Sequence, residues 1–313
     1  DHSGPGDDDV RQRGAHRLTS RHVMIVEAGP AGAAGAAALL AKAARLRAWG
    51  YPVEVIDRAA AQALEPHLRL DGFAAATFCP QEAWVDAPLC VATVLRAAQL
   101  HGAVVRPQTA VAGFLMEGER IAGVSLAGGE PLPAGRVVLA TGRWTDAAGR
   151  LAGLEVPLAP TCGLLAVSSP LAEGVSRVVH VPGMNFRPDP GGGAVLQSGA
   201  TDGTVGADTP PDPGLPGCAT LLAAVARYLP ALAGARIVEA RVGVRPMPAD
   251  GFTLAGAVEA RPGLYLTVTH SGVTLGPLLG ELAAAEIGGG VEPLLAPFRP
   301  QRLVRPLQAL DRA

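Results

Sequence analysis

Three times in this chain a short β-branched or apolar run ends in a turn built around glycine. Val23-Met24-Ile25-Val26 runs into Glu27-Ala28-Gly29-Pro30-Ala31-Gly32, and the Ala/Leu-rich segment from Ala33 to Trp49 that follows reads as helix. Arg136-Val137-Val138-Leu139-Ala140 reads as a buried strand ending in Thr141-Gly142. A strand over 264–269 ends in His270-Ser271-Gly272, which opens a final helix from roughly Thr274 to Ile287. Between the second and third of these, residues 155–210 are rich in Pro and Gly with short β-branched runs, which predicts an antiparallel sheet with turns. The fold class that accommodates both patterns is α/β, with α+β elements: a Rossmann-like portion and an added antiparallel layer.

The rest of the chain fits this alternation. Gly50-Tyr51-Pro52 stops the first helix, Val53 to Asp57 reads as a strand, and Ala59 to Glu65 reads as a short helix ended by Pro66. Leu89 to His101 is an apolar-periodic helix after the turn Val85-Asp86-Ala87-Pro88. Strands are expected at 103–106, 110–116, 121–126 and 236–244, and a helix from Ala219 to Tyr228. Residues 1–20, with Asp7-Asp8-Asp9 and scattered Gly, Pro and Arg, read as a disordered leader.

Composition removes several function classes. At 313 residues and 49% hydrophobic, the chain can bury a sizeable core in one to two domains. Its 26 basic and 28 acidic residues leave no basic face of the kind that attracts nucleic acid or anionic membrane. Cys79, Cys90, Cys162 and Cys218 are far apart with no C-x-x-C pair, which suggests neither a disulfide framework nor a zinc site, so no metal is expected. A reducing, cytoplasmic setting is then the default. The most apolar stretch, His22 to Leu40, carries Glu27, Pro30 and several glycines, and is a poor membrane span.

Four constellations carry candidate chemistry. In the first, Gly29 and Gly32 fill the second and third glycine positions of G-x-G-x-x-G, with Pro30 and Ala31 between them, where backbone N–H groups approach a pyrophosphate. Glu27 stands at the first position, where a side chain crowds the turn and a carboxylate repels phosphate. A small-residue strand–helix contact is the open alternative. Asp57 lies 57 − 27 = 30 positions on, against about 20 for the usual ribose ligand. An exposed strand-end carboxylate is the better reading of it. The second constellation is Thr141-Gly142, where a small-residue turn lets the backbone come close to a ligand. The third is Arg245 between Val244 and Pro246, whose planar fork suits a carboxylate, with a structural salt bridge as the alternative. The fourth is the turn His270-Ser271-Gly272-Val273-Thr274, where helix N–H groups favour negative charge. The His270 side chain by itself reads as a core histidine.

Taken in order, these pieces resemble the FAD-dependent oxidoreductases of the D-amino-acid oxidase, glycine oxidase and sarcosine oxidase type. The residues that carry the resemblance are Leu46 to Glu54, Ala63-Leu64-Glu65-Pro66, Pro80 to Asp86, Ala140-Thr141-Gly142, Gly243-Val244-Arg245-Pro246 with Asp250-Gly251, Gly263-Leu264-Tyr265 and His270 to Leu275. The similarity runs from about Leu40 to Leu303. It implies FAD as cofactor and oxidation of a C–N bond in a small amine or amino acid by hydride transfer to flavin N5. The resulting imine is hydrolysed by water, and O2 or another electron acceptor reoxidises the flavin. It also implies that Arg245 binds the substrate carboxylate and that 270–274 lies against the flavin. In such proteins a longer stretch separates the glycine turn from the Trp-Gly-Tyr-Pro segment, so the N-terminal flavin half reads as shortened here.

The domain expectation follows. Residues 21–50, 84–154 and 251–303 would form a discontinuous FAD-binding domain, and 51–83 with 155–250 the substrate domain. A catalytically silent relative, or a subunit of a larger flavoprotein complex with impaired FAD binding, is the rival reading. A compact NAD(P)-dependent dehydrogenase over 23–57 is a weaker one. Homo- and hetero-oligomers are both left open.

Overall fold

Helix starts and stops in this chain are set by local chemistry that the structure makes explicit. The computed structural model describes residues 23–25 and 33–307. In chain order the elements are β1 (Val23–Ile25), α1 (Ala33–Ala48), β2 (Glu54–Ile56), α2 (Arg58–Leu64), β3 (Ala76–Cys79), α3 (Ala87–Leu100), β4 (Val111–Glu117), β5 (Arg120–Leu126), β6 (Pro131–Pro133) and β7 (Val137–Leu139). There follow α4 (Thr145–Leu151), β8 (Leu154–Glu155), β9 (Thr161–Ser168), β10 (Val178–Val181), β11 (Met184–Pro188), β12 (Ala194–Ser198), α5 (Gly199–Asp202) and α6 (Pro216–Ala226). The last are β13 (Ile237–Arg245), β14 (Leu254–Ala257), β15 (Leu264–Val268), α7 (Gly272–Ile287) and β16 (Arg305–Pro306).

Asp57 caps α2 by accepting a 2.8 Å bond from the Ala60 N–H, and Asp86 caps α3 by accepting from Leu89 at 3.1 Å. The strand-end reading of Asp57 therefore holds, with a structural task attached. The strand expected at 103–106 is not formed; the segment is irregular, and Val104 is 84% exposed.

The chain divides into two compact units. One takes in the described residues up to Gly102 together with Cys162–Gly243, the other Ala103–Thr161 and the described residues from Val244 onward. Residues 33–50 and 84–102 thus fall with 162–243, which differs from the grouping expected from sequence. The physical reason is strand pairing. β1 pairs in parallel with β10 and antiparallel with β3, inside an eight-stranded sheet ordered β13-β9-β12-β11-β10-β1-β3-β2. The strand expected to lead into a dinucleotide turn is instead a member of this mixed sheet.

One face of the sheet carries the first unit's core. Leu164, Phe186 and Leu196 meet Cys218, Leu221 and Val225 of α6, all essentially fully buried. Each such leucine contributes about 2 kcal/mol by leaving water. Glu65, only 1% exposed, ties the end of α2 to the loop before β10. It accepts from the Ser176 N–H and Oγ–H at 3.1 and 2.8 Å and from the Arg177 guanidinium at 3.3 Å. Replacing Glu65 by alanine strands these donors, and a stability loss of about 3 kcal/mol is expected. Urea unfolding measures it, and a midpoint within error of wild type would refute the assignment.

The second unit has three small sheets: β14-β15-β7, β4-β5-β6 and β16-β8. Its core joins Ile121, Leu139, Leu154, Leu254, Leu264 and Leu266. β7 and β15 run parallel, with Val137 opposite Leu264 and Leu139 opposite Leu266.

Candidate functional site

Parallel strands in α/β sheets present ligand sites at their carboxyl ends, where loops leave and helix N-termini point back. β7 and β15 are neighbouring parallel strands, so the segments that leave them, Thr141-Gly142 and His270-Ser271-Gly272-Val273-Thr274, emerge at the same edge. Two of the segments singled out in the sequence are thereby brought together.

The first turn is held by a residue the sequence reading did not nominate. Thr145 is fully buried, and its Oγ1–H donates to the Gly142 carbonyl at 2.7 Å while Oγ1 lies 3.2 Å from that of Thr141. The signal for it was the second threonine four residues after the first. Gly142 has φ of +55°, which L side chains rarely adopt, and no heavy atom lies within 4 Å of where its Cβ would be. The backbone is open there.

The second turn is locked in a similar way. The Thr253 hydroxyl donates to Thr269 Oγ1 at 2.9 Å, and the Ser271 N–H reaches the same oxygen at 3.2 Å. The Leu275 N–H donates to the Ser271 carbonyl, which opens α7. The N–H groups of Gly272, Val273 and Thr274 precede that bond, so the helix itself gives them no acceptor. Val273 is 57% exposed, and His270 is exposed with Nδ1 3.3 Å from Ser271 Oγ. The core-histidine reading of His270 is corrected: the strand has already left the core when it reaches this residue.

Beside the β7 end lies an apolar cavity of about 1130 Å³, lined by Val111, Phe114, Val138, Thr141, Trp144 and Leu151 among others. Val138 faces it and is 45% exposed, so β7 is not the fully buried strand expected. Among the described residues β7 has one strand neighbour and is an edge strand.

Arg245 closes β13 and is half-buried, its carbonyl accepting from the Met247 N–H at 3.0 Å. The chain then turns at Asp250, whose carboxylate pairs with Arg302 and lies below its ordinary pKa because of that bond, and enters β14 beside β15. At the far end of α7, Glu286 is gripped by both nitrogens of the Arg299 fork at 2.7 and 2.5 Å and accepts from Tyr265 at 2.9 Å. Burial, then that bond, pushes the Tyr265 phenol up, and Arg299 holds the Glu286 carboxyl down. This cluster is internally satisfied and anchors α7 to β15.

Gly29, Pro30, Ala31 and Gly32 lie outside the described residues. Among the described residues no group of His, Cys, Asp and Glu could hold a metal ion, and no helix is long and apolar enough to cross a membrane.

These features define a two-unit α/β protein with a candidate ligand site at the carboxyl ends of two parallel strands. The chain matches the family described as FAD dependent oxidoreductase over residues 6–286, and it belongs to that family. Glycine oxidase of Pseudomonas putida (strain KT2440) is 30% identical over 259 residues, covering 80% of this chain and 68% of the relative. Glycine oxidase of Pseudomonas aeruginosa (strain PAO1) is 32% identical over 198 residues, covering 62% and 52%. The chain thus spans between about half and two-thirds of the length of these relatives. The crystal structure of glycine oxidase from Geobacillus kaustophilus superposes with a TM-score of 0.79 at 24% identity, covering 94% of this chain and 79% of that one. It has the same fold.

The described residues fit part of a flavin nucleotide. The open backbone at Gly142 and Gly272, where an added Cβ would meet nothing within 4 Å, leaves room for a flat ring and phosphate oxygens. The glycine turn at 29–32 is not among them.

Proposed function

We propose that this chain oxidises the C–N bond of a small amino acid, with glycine the simplest candidate. The single observation that carries the reading is the convergence of Thr141-Gly142 and the α7 N-terminus at the carboxyl ends of β7 and β15. In this reading 270–274 and Thr141-Gly142 hold FAD, and the FAD-binding and substrate domains are the ones expected from the sequence, except that residues 33–50 and 84–102 go with the substrate side and 155–161 and 244–250 with the FAD side. FAD, when bound, supplies the two-electron acceptor for the hydride on the substrate's α-carbon.

The chain's own contribution is placement. Arg245 presents a fork to the substrate carboxylate and so fixes which face of the α-carbon is offered. The α7 N–H groups stabilise negative charge beside them. No side-chain base is assigned: the amine's proton passes to solvent water, the hydride leaves the α-carbon for the flavin, and water hydrolyses the imine so formed. The electron acceptor is O2 or another carrier.

One observation favours a second reading, the silent relative with impaired FAD binding. β1 pairs antiparallel with β3 and parallel with β10, inside a mixed sheet and not in the parallel sheet a dinucleotide-binding unit builds. The visible absorption spectrum of the purified chain separates the two. Flavin bands that are released on denaturation, and that bleach anaerobically with glycine or another small amino acid, are the expected result. A colourless protein that takes up no added FAD would sink the oxidoreductase reading and leave the second.

A further inference from the structure

Arg143 follows directly on Gly142, just past the carboxyl end of β7. Its guanidinium lies over the neighbouring Trp144 ring, 4.8 Å from the ring centre. Among the described residues no carboxylate is within ion-pair distance of it. Asp146, three residues on, stands in the first turn of α4, where a negative charge serves that helix's own N–H groups. Arg106, Arg299 and Arg302 of the same compact unit are in a different position, each holding a carboxylate: Glu130, Glu286 and Asp250.

The backbone that presents Arg143 is fixed. Thr145 Oγ1–H donates to the Gly142 carbonyl at 2.7 Å, and the Trp144 N–H donates to the Thr141 carbonyl at 3.1 Å. Stacking uses a face of the guanidinium, while its five N–H donors lie in the plane and stay open at the edge. A long side chain laid on a ring has already given up part of its rotamer freedom, so it captures a pair of oxygens at a smaller entropic cost. Arg143 is thus a positioned cation with open donors, beside the turn whose backbone is open at Gly142.

Charge decides which anion it suits. The segments read as holding FAD are 29–32, 141–142 and 270–274, and none contains a lysine or an arginine. The N-terminus of α7 supplies the equivalent of roughly half a positive charge. A diphosphate carries a negative charge on each phosphate, so a helix end alone leaves most of it unmatched. A planar fork fits two phosphate oxygens at once. We propose that Arg143, held against Trp144, is the cation that pairs with the diphosphate of FAD in this chain. This rests on the reading above that Thr141-Gly142 and 270–274 hold FAD.

The test is a titration of the full chain with FAD and with riboflavin, which has the ring and no phosphate, followed by flavin fluorescence at low and high salt. ADP, which has the diphosphate and no flavin ring, is added as a competitor. Wild type, Arg143→Gln and Arg143→Lys are compared. Arg143→Gln should weaken FAD binding about tenfold, leave riboflavin binding unchanged and make ADP a poorer competitor. Wild-type affinity for FAD should fall as salt is added, and less steeply in Arg143→Gln, because salt screens the pair that this variant lacks. Arg143→Lys should recover part of the loss, since it keeps the charge without the fork. Urea unfolding of each variant identifies any that has lost its fold, and the lysine variant with the wild-type salt dependence carries the comparison if the glutamine variant has. An Arg143→Gln curve for FAD superposable on wild type, or equal losses for FAD and riboflavin, overturns the proposal. A wild-type chain that takes up neither FAD nor riboflavin retires the cofactor reading and this assignment together, whereas one that binds FAD with indifference to Arg143 retires the assignment alone.

Discussion

Replacing Arg245 by alanine is expected to lower kcat/KM for glycine by about 10²- to 10³-fold, the loss that follows truncation of one partner of a hydrogen-bonded charge pair. Most of that loss should appear in KM. In the proposed role Arg245 holds the carboxylate, which carries the same charge before and after hydride transfer, so the interaction would be largely uniform between ground and transition states. A smaller drop in kcat should accompany it, because a substrate held by one fewer anchor presents its α-carbon less often in the reactive orientation. Arg245→Lys should fall between wild type and alanine, since an ammonium is a point charge and cannot make the paired bonds of a fork. A primary amine lacking a carboxylate supplies the control. Its rate, however low, should be indifferent to both substitutions. Steady-state kinetics with glycine and that amine, in the three proteins, decide the matter. If glycine and the amine respond alike, Arg245 acts on the fold and not on the carboxylate. If neither responds, its position at the end of β13 is incidental to binding.

Much of the fold could be read from local pattern, and the failures share one cause. Asp57 and Asp86, each three residues before the amide it caps, announce α2 and α3 without any knowledge of the rest of the chain. The runs at 111–117, 120–126, 137–139 and 264–268 alternate or are β-branched strongly enough to be strands wherever they end up. What local pattern does not encode is which strand lies beside which. Val23 to Ile25 followed by glycines and a helix has the form of a dinucleotide-binding unit, yet its backbone pairs with β3 and β10. The 30-residue gap from Glu27 to Asp57, and Glu27 itself, were the signs against that reading, and the capping bond made by Asp57 agrees with them. The same limit explains Val138. Three apolar residues in a row look buried, but an edge strand beside a cavity exposes one side. The candidate site was more legible than the sheet order, because its parts are strand ends that sequence marks with glycine. Thr253 and Thr269, which fix one of those ends, carry no such mark, and Thr145 only the weak one of a second threonine four residues after the first: a hydroxyl that bonds a turn looks much like any other threonine until the turn is seen.

Gly263→Ala should cost at least about 3 kcal/mol, because it combines backbone strain with an overlap that nothing nearby can relieve. Gly263 has φ of +89°, and an added Cβ would lie 2.1 Å from the Ile121 carbonyl oxygen and 3.2 Å from its carbon. Those are main-chain atoms at the start of β5, so no rotamer change makes room. The surrounding bonds hold both partners in place. The Ile121 N–H donates to the Pro262 carbonyl at 2.7 Å, and the Val137 N–H donates to the Gly263 carbonyl at 2.9 Å. Gly263 is thus the point where β5, β7 and β15 are drawn together, and Ile121, which would have to move, is fully buried in that unit's core. Gly50→Ala is the matched control: φ there is +78°, but no heavy atom lies within 4 Å of the added Cβ, so only strain of about 1–2 kcal/mol is expected. Urea unfolding of the two variants separates strain from overlap, and equal midpoint shifts would refute the overlap. The displacement also reaches the candidate site. β7 delivers Thr141-Gly142 and β15 delivers the α7 N-terminus, so a shift of Gly263 disturbs the register between them. Any folded Gly263→Ala protein should therefore hold FAD less tightly than folded Gly50→Ala, measured by flavin fluorescence on titration.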